Sequence, residues 1–210
     1  YFGSIPAGNL PERRTPANIV LPQTAVVETE DNVQVPLTIL AWHTPAALAP
    51  GDAAFDVVAS ILGEGRASRL YQDLVTEKGT ALEVSAWQHS QMLSSIFAVT
   101  GKPTPDTTLE DLESHLQAHI ERLATEGPTP AELQRVRNQL EVSFIGDLEG
   151  LHQRAAALNR YKYLAGIPDF ANHDLDRYRT LTTKDVKAAA AALTADRRCT
   201  LRVRPKAGIQ

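Results

Sequence analysis

The chain has 210 residues, of which 43% are apolar and 22% are charged, a balance typical of a globular protein large enough to bury its own core. Its formal net charge of −4 argues against the basic surface that nucleic acids and anionic membranes attract. No run approaches the roughly 18 apolar residues of a membrane span, and the single cysteine, Cys199, excludes an intrachain disulfide.

The first 23 residues predict an extended arm or interdomain linker, because they carry four prolines. Proline lacks a backbone donor and disfavours helix in the residue before it. The sequence starts at Tyr1 without an initiator methionine or a signal-peptide pattern, so we expect the chain to be part of a longer protein. The predicted organisation is a linker at 1–23 followed by one domain at 24–210.

Strand-like segments follow the arm. Alternating apolar residues predict a half-buried strand at 33–43, and Pro36 within it indicates an edge strand or a bulge. A shorter segment precedes it, and Asp31-Asn32 between the two is a candidate tight turn. The strands are predicted at 24–30, 33–43, 81–88, 93–100 and 199–203.

Helical spacing of apolar residues accounts for most of the remaining chain. Asp52 is predicted to cap the first helix, which Gly63 ends, and Thr129 with Glu132 forms a capping box before another helix. The helices are predicted at 53–62, 67–78, 107–126, 130–148, 151–164, 169–181 and 183–193. This order favours an α+β fold, with helices layered on one face of a mostly antiparallel sheet.

Two histidines four residues apart, His115 and His119, could hold a zinc ion from one face of a helix. Catalysis would also need a carboxylate, and the motif positions that supply it in zincins and inverzincins are here Leu116 and Ala118. Each histidine precedes a residue of the apolar stripe, which predicts a solvated helix flank. We therefore expect no catalytic residue and no metal ligand in this domain, with zinc held by the histidine pair as the open alternative.

Other chemical signatures are missing from the sequence. It contains no G-x-S-x-G, Walker or G-x-G-x-x-G pattern, and Gly63-Glu64-Gly65 indicates a hinge between helices. Cys199 has no neighbouring histidine and is expected to be a structural thiol. This residue usage is compatible with the cytoplasm or the periplasm, and we favour the bacterial periplasm.

Four stretches of the chain carry a family resemblance. They are YFGSIPAG at 1–8, ILGEGRASRLY at 61–71, ELQRVRN at 132–138 and YRTLTTKDV at 178–186. In order and spacing they resemble the second half of the pitrilysin/insulinase-type zinc metallopeptidases, the inverzincins, in the branch like mitochondrial processing peptidase. The resemblance implies two similar α+β domains per parent chain around a closed chamber, with H-x-x-E-H and zinc in the first half.

The resemblance implies a function for the chain as one half of a larger enzyme. It is expected to be the non-catalytic C-terminal half of a bacterial zinc metalloendopeptidase, forming chamber wall, substrate contacts and the interface with the N-terminal catalytic domain. Zinc is expected in that catalytic half, and the substrate is a peptide. The alternative is a wholly inactive scaffold homologue of the same fold, which an upstream sequence without H-x-x-E-H would indicate.

Family members that complete the active site from the second half carry an arginine and a tyrosine in a pattern like R-E-K-x-G-L-A-Y. Anchored on Gly79, those two positions are Val75 and Leu82, which are the predicted substrate-facing residues. Neither side chain can donate a hydrogen bond to a substrate carbonyl or oxyanion. Relatives obtain the pair from a second homologous subunit, so such a subunit is a further predicted partner.

Overall fold

A five-stranded sheet organises the described part of the chain. The computed structural model describes residues 3–6, 8–9, 12, 14–15, 19 and 21–206. The strands are β1 (Ala25–Asp31), β2 (Leu37–Thr44), β3 (Ala81–His89), β4 (Ser95–Pro103) and β5 (Cys199–Pro205). Their order across the sheet is β1-β5-β2-β4-β3, and every pair is antiparallel except β1 with β5. The prediction of a mostly antiparallel α+β fold is confirmed.

The structure corrects one detail of the predicted strands. Pro36 does not mark an edge or a bulge, because β2 begins at Leu37 and lies in the middle of the sheet. The predicted tight turn at Asp31-Asn32 is present, with a hydrogen bond of 2.9 Å from Val33 N to Asp31 O, and the strands on its two sides do not pair with each other, since β1 pairs with β5. Proline disrupts a ladder only where its missing donor is needed, and a position just before the strand avoids that cost.

Six α-helices lie within the described residues. They are α1 (Asp52–Gly63), α2 (Leu109–Glu126), α3 (Pro130–Glu149), α4 (Leu151–Leu164), α5 (Ala171–Arg179) and α6 (Thr183–Ala191). The capping box of Thr129 and Glu132 is present, and Thr182 forms a second one with Asp185. Both satisfy backbone donors that the first turn of a helix leaves free.

Two predicted helices differ in the structure. Asp52 is the first residue of α1, and the capping position belongs to Gly51, which has a positive φ of 88° and no side chain to cap with. The segment predicted at 67–78 is a π-helix over Tyr71–Glu77, continued by hydrogen bonds from Lys78 N to Asp73 O and from Thr80 N to Leu74 O. Its wider turn could not be read from apolar spacing, which changes little between the two helix types.

One face of the sheet carries the hydrophobic core. Leu40 and Trp42 of β2 pair with Val99 and Phe97 of β4, and all four side chains are buried under α1 and α2. Phe97 also packs against Phe55 of α1 with the two rings tilted, at a ring-centroid distance of 6.2 Å. The even-numbered residues of β2 therefore pack against the helices on this face of the sheet.

The opposite face of the sheet is called the open face here. Successive strand residues point to opposite faces, so the register assigns alternate, mostly half-buried apolar side chains to it. They are Ala25, Val27, Leu37, Ile39, Ala41, Trp87, Ile96, Cys199, Leu201 and Val203. Helices α1 and α2 pack on the other face, so no described helix covers this one.

Candidate functional site

The two predicted substrate-facing residues lie on consecutive elements. Val75 belongs to the π-helix and is half-buried against the core. Leu82 is the second residue of β3, and 52% of it is exposed to solvent. Neither side chain offers a hydrogen-bond donor, so these two residues could contact a peptide only through their apolar side chains and their backbone. Their substrate-facing role stays a prediction.

The histidine pair on α2 differs from its predicted setting. His119 is buried and not on a solvated flank, because the π-helix places Asp73 over it, with Nε2 of His119 2.8 Å from Oδ2 of Asp73. Burial lowers the pKa of His119, which favours the neutral imidazole. His115, His119 and Asp73 all line one small cavity. Within the described residues, no group of three or more His, Cys, Asp or Glu is arranged to hold a metal ion.

A cavity of about 670 Å³ lies between β3, α1 and α5 and is called the polar cavity here. Helix α1 contributes Asp52, Asp56 and Ser60, which lie one turn apart on one helix face. Glu64 follows directly after the helix. The remaining polar lining comes from Gln88, His89, Ser90, Arg160, Asp174, Arg177 and Tyr178.

Arg177 of α5 bridges two buried carboxylates of the polar cavity. Its Nη2 atom is 3.0 Å from Oδ2 of Asp52, and its Nη1 atom is 2.7 Å from Oδ1 of Asp174. Asp52 also accepts a hydrogen bond of 2.7 Å from Ser90, and Asp174 accepts one of 2.9 Å from Tyr161. Buried charges of this kind persist only when they are paired and hydrogen-bonded, so this cluster fastens α5 to α1.

The other two carboxylates of the polar cavity have no cationic partner. Asp56 accepts a hydrogen bond of 2.8 Å from the Tyr178 hydroxyl, and Glu64 accepts one from Ser60. Among the ion pairs of the described residues, none includes either acid. Desolvation raises the pKa of Asp56 from its ordinary 3.8 to about 7.

The polar cavity was not anticipated from the sequence, although a signal for it exists. Asp52, Asp56 and Ser60 are spaced by four in an otherwise apolar helix whose remaining residues are buried. Such a polar row on one face of a buried helix indicates polar partners on other elements. The partner of Asp52, Arg177, comes from a helix 125 residues away along the chain.

We predict that stability falls with rising pH because of Asp56. Its pKa is higher in the folded state than its ordinary value, so the stabilising effect of its proton is complete below about pH 3.8 and is lost as the pH rises towards 7. Asp56→Asn keeps the group neutral and should be more stable than the wild type by about 2 kcal/mol at pH 8. Urea unfolding between pH 4 and 8 measures this difference.

The control for this prediction is Asp106→Asn, which alters an exposed carboxylate outside the polar cavity. It should leave the slope of stability against pH close to that of the wild type. A wild type and an Asp56→Asn variant with parallel pH profiles would contradict the role assigned to Asp56.

A comparison with known protein families identifies the family of this chain. The family model described as "Peptidase M16 inactive domain" matches residues 1–140. The chain belongs to this M16 inactive-domain family. The membership confirms the pitrilysin/insulinase-type resemblance and the expectation of an inactive peptidase domain.

Individual relatives of this M16 domain are bacterial. It is 29% identical over 159 residues to the zinc protease PqqE of Helicobacter pylori, which covers 73% of this chain and 35% of that protein. The peptidase M16 inactive domain from Pseudomonas fluorescens matches with a TM-score of 0.80 and 18% identity, over 97% of this chain and 48% of the other. The inactive peptidase domain of a protein described as a zinc protease from Bordetella parapertussis matches with a TM-score of 0.76 and 24% identity, over 87% and 97%.

Two of the family-like stretches meet in this M16 domain. Arg69, from the stretch at 61–71, forms a two-pronged ion pair with Glu132, with Nε–Oε1 and Nη2–Oε2 distances of 2.7 and 2.8 Å. The same guanidinium donates to the Gly127 carbonyl at 3.1 Å. The hydrogen bond from Arg69 lowers the pKa of Glu132 to about 2. These motif residues hold the π-helix entry against the start of α3, so their role here is structural.

None of the helices in the described residues is both long and apolar enough to cross a membrane.

Proposed function

We propose that this M16 inactive domain is the non-catalytic half of a bacterial zinc metallopeptidase, and that it docks onto the catalytic half of its parent protein. The chain spans about a third of the length of the Helicobacter pylori zinc protease that it matches. A relative of that length has room for a second domain, which supports a parent with a zinc-bearing catalytic half. The bacterial periplasm stays our prediction for its compartment.

The open face is the observation that carries this proposal. A sheet in a layered domain normally buries both of its apolar faces or keeps one face polar. Here the second face presents half-buried Leu, Ile and Val side chains in the interior strands β2 and β5 and an exposed Val27 at the β1 edge. Covering it would gain about 25 cal/mol for each Å² of apolar surface removed from water. A facing domain of the same parent chain would supply that cover.

We predict that Val27→Lys weakens association with a separately produced catalytic half by about tenfold or more. Val27 lies on the open face of β1 and is 50% exposed, so a lysine there should leave the fold intact and disrupt the apolar contact. Titration calorimetry on mixtures of the two halves measures the change in Kd.

The matched control is Val26→Lys. Val26 is the neighbouring residue on the same strand, is 56% exposed, and points to the opposite face of the sheet. It should change Kd by less than about twofold. Equal effects of the two variants, or no association between the halves, would remove the open face as the interface.

Chamber wall and substrate contact complete the proposed role. The exposed Leu82 and the half-buried Val75 occupy the positions from which family members grip the substrate with an arginine and a tyrosine. Without donors of its own, this half would contribute packing, and the donors would have to come from a second homologous subunit.

A further inference from the structure

Two polar contacts fasten the π-helix to its neighbours. Before its first turn, Arg69 pairs with Glu132, and a pKa of about 2, which the hydrogen bond from Arg69 gives Glu132, keeps that pair charged at neutral and mildly acidic pH. Within the π-helix, Oδ2 of Asp73 lies 2.8 Å from Nε2 of His119 on α2 and 2.7 Å from Nζ of Lys78. The second contact therefore contains a histidine, the side chain whose ordinary pKa places its charge change between about pH 5 and 8.

The second contact fixes which nitrogen of His119 carries the proton. Partial burial raises the pKa of Asp73, but hydrogen bonds from Lys78 and His119 bring it below its ordinary value, so the carboxylate is ionised and can only accept. Nε2 of His119 is therefore the protonated nitrogen of the neutral ring. Nδ1 is buried and has no hydrogen-bond partner, and the whole residue is 6% exposed. A second proton on Nδ1 would create a buried donor without an acceptor.

The charges around His119 also oppose a second proton. The ring shares a cavity of about 160 Å³ with Asp73, Lys78, His115 and Arg122. Burial lowers the pKa of His119, Asp73 raises it, and the cations Arg122 and Lys78 lower it again, so that it lies below its ordinary 6.5. His115 does not compensate, because its own Nδ1 is buried and unpaired as well. The folded protein therefore holds His119 in its neutral form.

This arrangement makes the contact between α2 and the π-helix sensitive to acid. Because the pKa of His119 is lowered in the folded state, the contact stabilises the fold fully above about pH 6.5 and loses that effect as the pH falls further. Proton uptake favours a state in which the ring reaches water, and the π-helix is the element that lies over it. That helix carries Val75 and leads through Gly79 into β3, where Leu82 lies.

We propose that His119 and Asp73 form a pH-sensitive switch, in which the neutral histidine holds the π-helix on α2 and its protonation releases the π-helix. Release would displace Val75 and Leu82, the two predicted substrate-facing residues. The switch itself needs only this domain, and its effect on substrate contact rests on the proposed function.

Hydrogen–deuterium exchange of the 210-residue chain tests the switch, read at residues 71–80. This segment contains the amides of Lys78 and Thr80, which donate to the carbonyls of Asp73 and Leu74. Between about pH 7.5 and about pH 5, protection corrected for intrinsic exchange should fall about tenfold relative to helix α1. Nitrogen NMR of the imidazole rings should show the Nε2–H tautomer of His119 at about pH 7.5.

Three variants separate the switch from general acid sensitivity. His119→Gln keeps an amide donor for Asp73 and cannot titrate, so protection of residues 71–80 should no longer depend on pH. His152→Gln removes an exposed histidine of α4 and should respond as the wild type does. Asp73→Ala removes the acceptor and should lower protection about tenfold at both pH values. Unchanged protection of α1 shows in each case that the fold is intact.

Any of three results would overturn the proposal. They are equal protection of residues 71–80 at both pH values in the wild type, an unchanged pH response in His119→Gln, and a protonated His119 ring at about pH 7.5. Because every readout uses this chain alone, failure of the two halves to associate would remove the proposed function and leave the switch standing.

Discussion

Assayed alone, the full-length parent is expected to cleave peptides about 100-fold more slowly than when mixed with a homologous subunit that carries an arginine and a tyrosine in the R-E-K-x-G-L-A-Y pattern. The reason is the chemistry of positions 75 and 82, where Val75 and Leu82 cannot donate hydrogen bonds to a substrate carbonyl or to the developing oxyanion. Loss of one such donor commonly costs a factor of about 10² to 10³ in turnover.

The design of this experiment includes a rescue. Val75→Arg combined with Leu82→Tyr, introduced into the parent, should restore part of the activity without the second subunit. Leu82 is 52% exposed, so a tyrosine there has room to reach outward. Val75→Lys with Leu82→Phe is the matched control, because it keeps similar size and lacks the forked guanidinium and the hydroxyl. Full activity of the unmodified parent, unchanged by the second subunit, would show that the parent does not need another subunit to supply the arginine and the tyrosine.

The local elements of the fold could be predicted from sequence because their signals are local. The capping box predicted at Thr129 involves residues three apart and appears in the structure. The pairing of β1 with β5 could not be predicted in this way, since its paired residues, such as Ala25 and Cys199, are separated by almost the whole length of the sequence. The apolar pattern of a strand states which face is buried but not which strand lies beside it.

The site was less predictable because its contacts are formed by tertiary structure. Asp52 has the features of a helix cap in sequence, yet its carboxylate accepts from Arg177 and Ser90. His119 was expected in solvent, and the π-helix buries it under Asp73. Conversely, Arg69 and Glu132 belong to two separate family-like stretches of the sequence, and in the structure their side chains form one ion pair.

The second prediction with a large expected effect concerns the stability of the protein when Gly63 is replaced. At this residue α1 approaches β3 so closely that a Cβ atom would lie 2.1 Å from the backbone nitrogen of Ala86 and 2.6 Å from the carbonyl carbon of Ser85. Both neighbours are backbone atoms of a paired strand and cannot rotate away. Gly63→Ala therefore has to push the helix from the sheet, which would open the core and separate the Asp52–Asp56–Ser60 row from β3.

We expect Gly63→Ala to lower the free energy of unfolding by about 3 kcal/mol or more, measured by urea denaturation monitored at the tryptophans. Gly146→Ala is the matched control: it makes the same chemical change inside helix α3, where a Cβ atom meets nothing within 4 Å. There alanine should stabilise the protein by about 1 kcal/mol, because glycine is the poorer helix former. A Gly63→Ala variant within about 1 kcal/mol of the wild type would mean that α1 and β3 can separate at little cost. In that case the close approach could not be what fixes the geometry of the polar cavity.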